Sequence, residues 1–334
     1  MMVVAGRAGH VALLLAALAV ASLPLVASPY HLQLASTALV TAMFALSLQL
    51  LVGATGLVSL GHAAFFGIGA YTIHLLGAFG NAPSVLLTLP VAVLLSGLAA
   101  LAVGALALRT RGFFFLMTTL AFGQMLFFLY HDTPLGGGAD GVFVTRPAFS
   151  AFGLEYVVPR RDRPAVLLLV NLAVLAAMYA GLVALLRTMF GRALLGIRAN
   201  EHRMGSMGFD TYSIKLAAFT VAGALAGVAG HMWAMTEAFV TPELLGWHRS
   251  AEALLVVLLG GLGALHGPIV GAFAFIGLGE ASQLITERQR LVEGFVILAV
   301  VLCLPSGLIG LRFPRRRPRD AAAPGAAKPE GAAP

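Results

Sequence analysis

The chain has 334 residues, of which 59% are hydrophobic and only 10% charged, with a formal net charge of +7. An ordinary soluble domain carries about 25% charged residues, so this composition excludes one and describes an all-α polytopic membrane bundle, in which helices satisfy every backbone polar group. The single cysteine, Cys303, lies in an apolar run, which excludes a disulfide framework or a cysteine metal site.

The first apolar run, Val11 to Ala27, follows Arg7 and ends near Ala27-Ser28. It has the shape of a cleaved signal peptide, but ahead of many later spans it reads as a retained first helix. Leu32 to Val52, Leu57 to Phe79 and Ser84 to Leu108 follow, ending at the basic Arg109-Thr-Arg111. Phe113 to Tyr130 then leads to a polar segment, 131–164, whose acidic and basic residues balance and which reads as the largest external loop. Ala165 to Leu186 returns the chain to a basic stretch, 187–215, part of which can form a surface helix, and Leu216 to Val240 crosses again.

Beyond Arg249 the spacing changes. Ala251 to Leu265 would make a helix of about 22 Å, short of a hydrocarbon core of about 30 Å. Pro268 to Ile285 is little longer, and LLGGLGALHGP joins the two. Gly/Pro-interrupted short pieces predict a re-entrant hairpin or broken helices, buried or lining a cavity. Leu291 to Leu304 leads to a basic tail, 311–334, predicted to be disordered. Assigning Arg7, the Arg109/Arg111 doublet, the 187–215 stretch and the tail to one side collects fourteen of the 21 Lys and Arg residues there. By the positive-inside rule that side is cytoplasmic, with both termini inside and eight to ten crossings. The positive charge is thereby explained without nucleic acid.

Three motifs stand out. Gly56-Leu-Val-Ser-Leu-Gly-His-Ala-Ala-Phe-Phe-Gly-Ile-Gly-Ala-Tyr71 packs four glycines into one helix-length segment. Small residues on a helix face let backbones approach closely, as they also would along Gly223 to Gly230. Arg111-Gly-Phe-Phe-Phe-Leu-Met-Thr-Thr-Leu-Ala-Phe-Gly-Gln124 ends in an amide that needs a partner within the membrane. Leu258 to Ala272 carries Gly260, Gly261, Gly263, Gly267 and Pro268.

Together with Gly136-Gly-Gly-Ala-Asp-Gly141 and with Phe190 to Lys215, these segments resemble permeases of the branched-chain amino acid ABC importers, the LivM-like branch. The resemblance runs from about Gly53 to Gly310. It departs from the family pattern at Gly136 and Ala264, where Thr is usual, and at Arg203 and Met204, where two alanines are common. It implies a multi-pass permease of the bacterial inner membrane that binds no cofactor itself and uses ATP hydrolysed by partner ATPase subunits. A second related permease, a periplasmic substrate-binding protein and membrane lipid are the other implied partners.

In that family the 187–215 loop docks on the ATPase. By resemblance Gly191 allows its turn, Arg192, Arg198, Asn200 and Glu201 make contacts, and Gly208 ends the element. Gly61, His62, Gly69, Tyr71 and Gln124 are expected to pack or line the pathway with the glycine-rich hairpin, His62 at the start of a broken helix whose exposed amides and positive end can face a substrate carboxylate. A charge near a helix centre costs about 2.5–3.5 kcal/mol to insert, which makes Glu252 and Glu280 further pathway candidates.

The absences matter as well. There is no G-x-x-x-x-G-K-[ST] loop, so the chain is not itself a P-loop ATPase, and no H-E-x-x-H or G-x-S-x-G supports an enzyme. An ABC permease for urea or short amides and an ion-gradient-driven secondary transporter are the alternatives at this level. A channel would leave the basic loop without a role.

Overall fold

The computed structural model describes residues 7–77, 84–145, 149–151, 154–156, 159, 161–285, 291–292, 294–295, 298–299 and 307–310. These form eleven α-helices. The helices are α1 (Arg7–Ser22), α2 (Pro29–Gln49), α3 (His62–Gly77), α4 (Val85–Ala107), α5 (Phe113–His131) and α6 (Arg163–Arg187). They continue with α7 (Met189–Ala199), α8 (Glu201–Ser206), α9 (Thr211–Glu237), α10 (Trp247–Gly260) and α11 (Gly267–Ile285). Five are long and apolar enough to cross a membrane among the described residues: α2 with its continuation to Thr55, α4, α5, α6 and α9. The expected span Leu291 to Leu304 and the tail 311–334 lie largely or wholly outside the described residues.

The bundle is built around α2. In its apolar window 94% of residues are buried, against 22% in α5, which therefore lies at the periphery. A helix that is apolar on all sides has no face to turn to water, and small residues such as Ala38, Ala42 and Ala45 let neighbours approach α2 from every direction. Helices α6, α9, α10 and α11 pack around it.

Helices α3, α4 and α9 form the second tightly packed group. A Cβ at Gly69 would run into the carbonyl of Gly227, and one at Gly230 into the carbonyl of Phe66. The α3–α9 contact is thus backbone on backbone, the close approach that the glycine spacing predicts. Ser96 of α4 closes the group by donating to the Phe65 carbonyl at 3.0 Å.

Two features depart from the reading of long helical runs. The run Leu57 to Phe79 is not one span. The helix of α2 loosens into a wider turn over Leu50–Thr55 and stops at Gly56, whose φ of +77° is a left-handed conformation that suits glycine. Helix α3 starts only at His62. Two short antiparallel pairs also sit at one end of the bundle. β1 (Val142–Phe143) pairs with β4 (Phe239–Val240), and β2 (Phe149–Ala151) with β3 (Leu154–Tyr156). The first pair ties the segment after α5 to the end of α9. The opposite end carries α7 and α8.

Candidate functional site

The interior of the bundle contains two interruptions that meet. One is the α2–α3 break. A Cβ at Gly61 would strike the Thr119 carbonyl, and Gly123 faces Gly61 in return, so this non-helical stretch is pressed against α5. Gln124, next to that contact, is half-buried. The other interruption is the α10–α11 turn. Side chains at Gly260 and Gly267 would each overlap the backbone of the other's segment, and one at Gly271 would overlap the Val256 carbonyl. Gly307 packs on Gly260 and Gly261 from the far side of this knot. Gly263 faces open space, and Pro268 sits in the first turn of α11, where its missing N–H costs no helical bond. The hairpin expected from the short apolar runs is present.

Gln49, fully buried, joins the two interruptions. Its Nε2 donates to the carbonyls of Leu262 and Ala264, at 3.1 and 3.2 Å. Ala264 therefore serves the contact through its backbone, and the hydroxyl usual in the family at this position is not needed for it. Ser250 of α10 accepts the Ala63 amide at 2.8 Å, taking up one of the unpaired donors at the start of α3.

His62 is fully buried and stacks on Phe44 at 5.7 Å between centroids. Its Nε2 lies 2.9 Å from Ser47 Oγ. Ser47 gives its own proton to the Phe44 carbonyl at 2.7 Å, so Oγ accepts and His62 carries its proton on Nε2. The Nδ1 lone pair has no partner among the described residues.

Tyr71 and the acidic candidates take different places. Tyr71 is buried against Tyr130 and donates to the Gly136 carbonyl at 3.3 Å, which fixes the loop after α5. A side chain at Gly136 would meet the Tyr130 backbone, which accounts for glycine where the family usually has threonine. Glu280 of α11 accepts from the Tyr30 hydroxyl at 2.7 Å. Glu252 accepts from Arg249 Nη1 at 2.8 Å.

At the other end, Thr188 caps α7 by accepting from the Gly191 amide. Gly191 is not there for an unusual turn: a Cβ would hit the backbone of Leu185 and Leu186, so its role is close approach of α7 to α6. Arg192 is exposed. Arg198 reaches across and donates from Nη1 to the carbonyl of Gly53, in the loosened turn of α2.

Asn200 separates α7 from α8 and caps α8 by accepting from the Arg203 amide at 2.9 Å. Met204 folds back onto Gly196, and Gly208, at φ +87°, ends the element. Glu201 pairs with Lys215 at 2.6 Å, and Thr211 donates to the same oxygen at 3.3 Å. Partial burial alone would raise the Glu201 carboxyl. The Lys215 bond and charge, the Thr211 hydroxyl and the Arg111 charge outweigh it and hold the group below the ordinary glutamate range. Asp210, which caps α9, is likewise held low by bonds from Ser213 and Tyr212.

Sequence reasoning missed Gln49, Ser47, Ser250 and Arg249. The Ser47–His62 pair and the Gln49 bonds join residues far apart in sequence, and no spacing rule connects them. Arg249 had a visible signal, a lone charge at the edge of an apolar run, but charge counting assigned it to a loop. The structure sets it among α3, α9 and α10 instead.

Residues 30–304 match the family model described as branched-chain amino acid transport system / permease component. Among curated proteins, the high-affinity branched-chain amino acid transport system permease protein LivM of Escherichia coli K12 is 32% identical over 90% of this chain and 75% of its own length. The Salmonella typhimurium protein of the same name is 31% identical over the same shares. The autoinducer 2 import system permease protein LsrC of Photorhabdus laumondii is 32% identical over 35% of this chain and 38% of its own. No solved structure matches.

Proposed function

We propose, from the premise that this chain belongs to the branched-chain amino acid transport permease family, that it is the membrane subunit of an inner-membrane ABC importer for branched-chain amino acids. Separate ATPase subunits drive it, it pairs with a second related permease, and a periplasmic binding protein delivers solute to the strand-bearing end. The α7–α8 end faces the cytoplasm together with both termini, in keeping with the positive-inside rule.

The observation that carries this reading is the bond from Arg198 to the Gly53 carbonyl. It hangs α7, a short amphipathic helix at the end of the bundle, on the loosened turn that ends the central helix. Arg198 and Glu201 are thus engaged within the chain, and the surface left to an ATPase is the exposed part of α7 and α8, including Arg192 and Arg203. A displacement of α7 by closing ATPase subunits would pass through Arg198 to the end of α2. From there it would reach the α2–α3 break and, through Gln49, the α10–α11 turn. Alternating access follows as a relative movement of the two interruptions, with the glycine contacts as rigid pivots.

The test is uptake of labelled leucine, urea and a short amide into vesicles that contain this chain and whatever ATPase co-purifies with it. ATP-dependent uptake of leucine is expected. Uptake driven by an ion gradient in the absence of any co-purified ATPase would refute the reading.

A further inference from the structure

Arg249 is a charged group that the coupling route leaves unused. It stands in the first turn of α10, pinned there because the adjacent Ser250 is bonded to the start of α3. Its guanidinium carbon lies 4.5 Å from the Trp233 ring centroid and 5.6 Å from that of Phe66. Nη1 donates to Glu252. Nε and Nη2 are buried and have no acceptor among the described residues.

The position is set in from the start of α2. Thr37 of α2 bonds Glu237 at 3.0 Å, which puts the end of α9 about 12 Å in from that start, at 1.5 Å per residue. Trp233 lies a further turn along α9, and the Arg249 side chain against it is 20% exposed, that of its partner Glu252 45%. An arginine does not relieve burial by losing its proton; Glu252 balances the charge, while the buried Nε and Nη2 donors, without an acceptor among the described residues, keep a desolvation cost. The two rings attract the cation through the face of the guanidinium, but they leave its Nε–Nη2 edge unserved. That edge offers two parallel N–H donors, the pattern that takes a carboxylate in bidentate fashion. The amino-terminal end of the 14-residue α10 adds positive potential at the same place.

We propose that Arg249, on its Trp233 and Phe66 platform, is the recognition site for the carboxylate of the transported solute, and that Glu252 takes the solute's ammonium group. This deepens the importer reading and rests on it. The class of ligand is an α-amino acid zwitterion, with the aromatic walls against its apolar side chain. Urea and neutral amides lack the carboxylate and would leave the guanidinium edge unpaired, so the site rejects them.

The test is isothermal titration of the full chain with its co-purified subunits in nanodiscs, using L-leucine, leucinamide and 4-methylpentanoate. Leucine is expected to bind, 4-methylpentanoate more weakly, and leucinamide not measurably. Arg249→Lys should weaken leucine by about tenfold, since it keeps the charge but loses the fork, and Arg249→Gln by about a hundredfold. Thermal melting and retention of the partner subunits check that both variants are folded, and the lysine variant carries the test if the glutamine variant is not.

Equal binding of leucinamide and leucine, unchanged affinity in folded Arg249→Lys, or no binding of leucine to the wild type at millimolar concentration overturns the site. Vesicle uptake separates the two claims. ATP-driven leucine uptake that persists undiminished in the Arg249 variants sinks the site and leaves the importer reading standing. Arg249-dependent binding of leucine without ATP-driven uptake does the reverse.

Discussion

The bundle interior and the α7–α8 end are held by different physics. In the interior, glycine after glycine lies against backbone, so α3–α9 and α10–α11 meet with no side chain between them. At the α7–α8 end only Gly191 is similarly pressed, while Gly205 and Gly208 face open space. The apolar face of α7, with Ala193, Leu194 and Ile197, is buried against the bundle through side chains, and polar links join it, Arg198 to Gly53 and Glu201 to Lys215 and Thr211. Backbone contacts have no slack and polar links can break and re-form. On the proposed coupling route the interior would act as the rigid bodies and the α7–α8 end as the part that moves relative to them.

The strongest test of that contrast is overpacking in the interior. Gly230→Val places a branched Cβ where the Phe66 carbonyl now sits. Inserting volume into a packed contact costs about 1–3 kcal/mol and more where backbone must shift, so the variant should melt many degrees lower in detergent or fail to assemble. Gly205→Val, at the open site, should cost less than about 1 kcal/mol, the helix-propensity difference being small. Similar melting temperatures for the two variants would erase the distinction between the regions.

Much of this division was legible in the sequence. Every described apolar run except one became a helix within a few residues of its expected limits, because a lipid-soluble segment has no competing way to satisfy its backbone. The bounds Leu57 to Phe79 were too long, since hydropathy does not register that Gly56 and Gly61 interrupt a helix, but the break itself was legible in the glycine-rich motif, and α3 starts at His62 as expected. The α10–α11 hairpin was visible because its pieces are too short to span. Which glycine meets which backbone was not, nor was the pairing of Gln49 with the Leu262 and Ala264 carbonyls, because both depend on how helices distant in sequence are juxtaposed. Arg198 and Glu201 drew notice as charges free to meet a partner, yet both are bonded within the chain. The sequence shows a charge but not the carbonyl or lysine that it will find.

A second, smaller effect is expected at the link itself. Arg198→Ala removes a charge-assisted bond worth about 1–2 kcal/mol for a half-solvated donor. Melting should fall only modestly and the ATPase subunits should still co-purify. Leucine uptake should drop severalfold while ATP hydrolysis continues, because the displaced α7 no longer pulls on Gly53. Hydrolysis and uptake falling in equal proportion would show that Arg198 supports docking and does not transmit movement.

The smallest effect concerns Glu201 and is read through pH. Lys215 has a side chain 8% exposed and Glu201 one 40% exposed, so solvent screens the pair from one side and its contribution is about 0.5–1 kcal/mol. The folded state holds the Glu201 carboxyl below its ordinary value, so the unfolded chain takes up a proton first as pH falls. The stabilisation is therefore fully present above the unfolded value of about 4.3 and is lost as pH drops through the lower folded value. Between pH 8 and 5 the melting difference between wild type and Glu201→Gln should stay constant, and below that window it should shrink towards zero. A difference that already shrinks near neutrality would mean that Glu201 titrates high. Arg198 and the buried apolar face of α7 would then hold this end without the Glu201 pair, and protonation of Glu201 would loosen α8 in the physiological range.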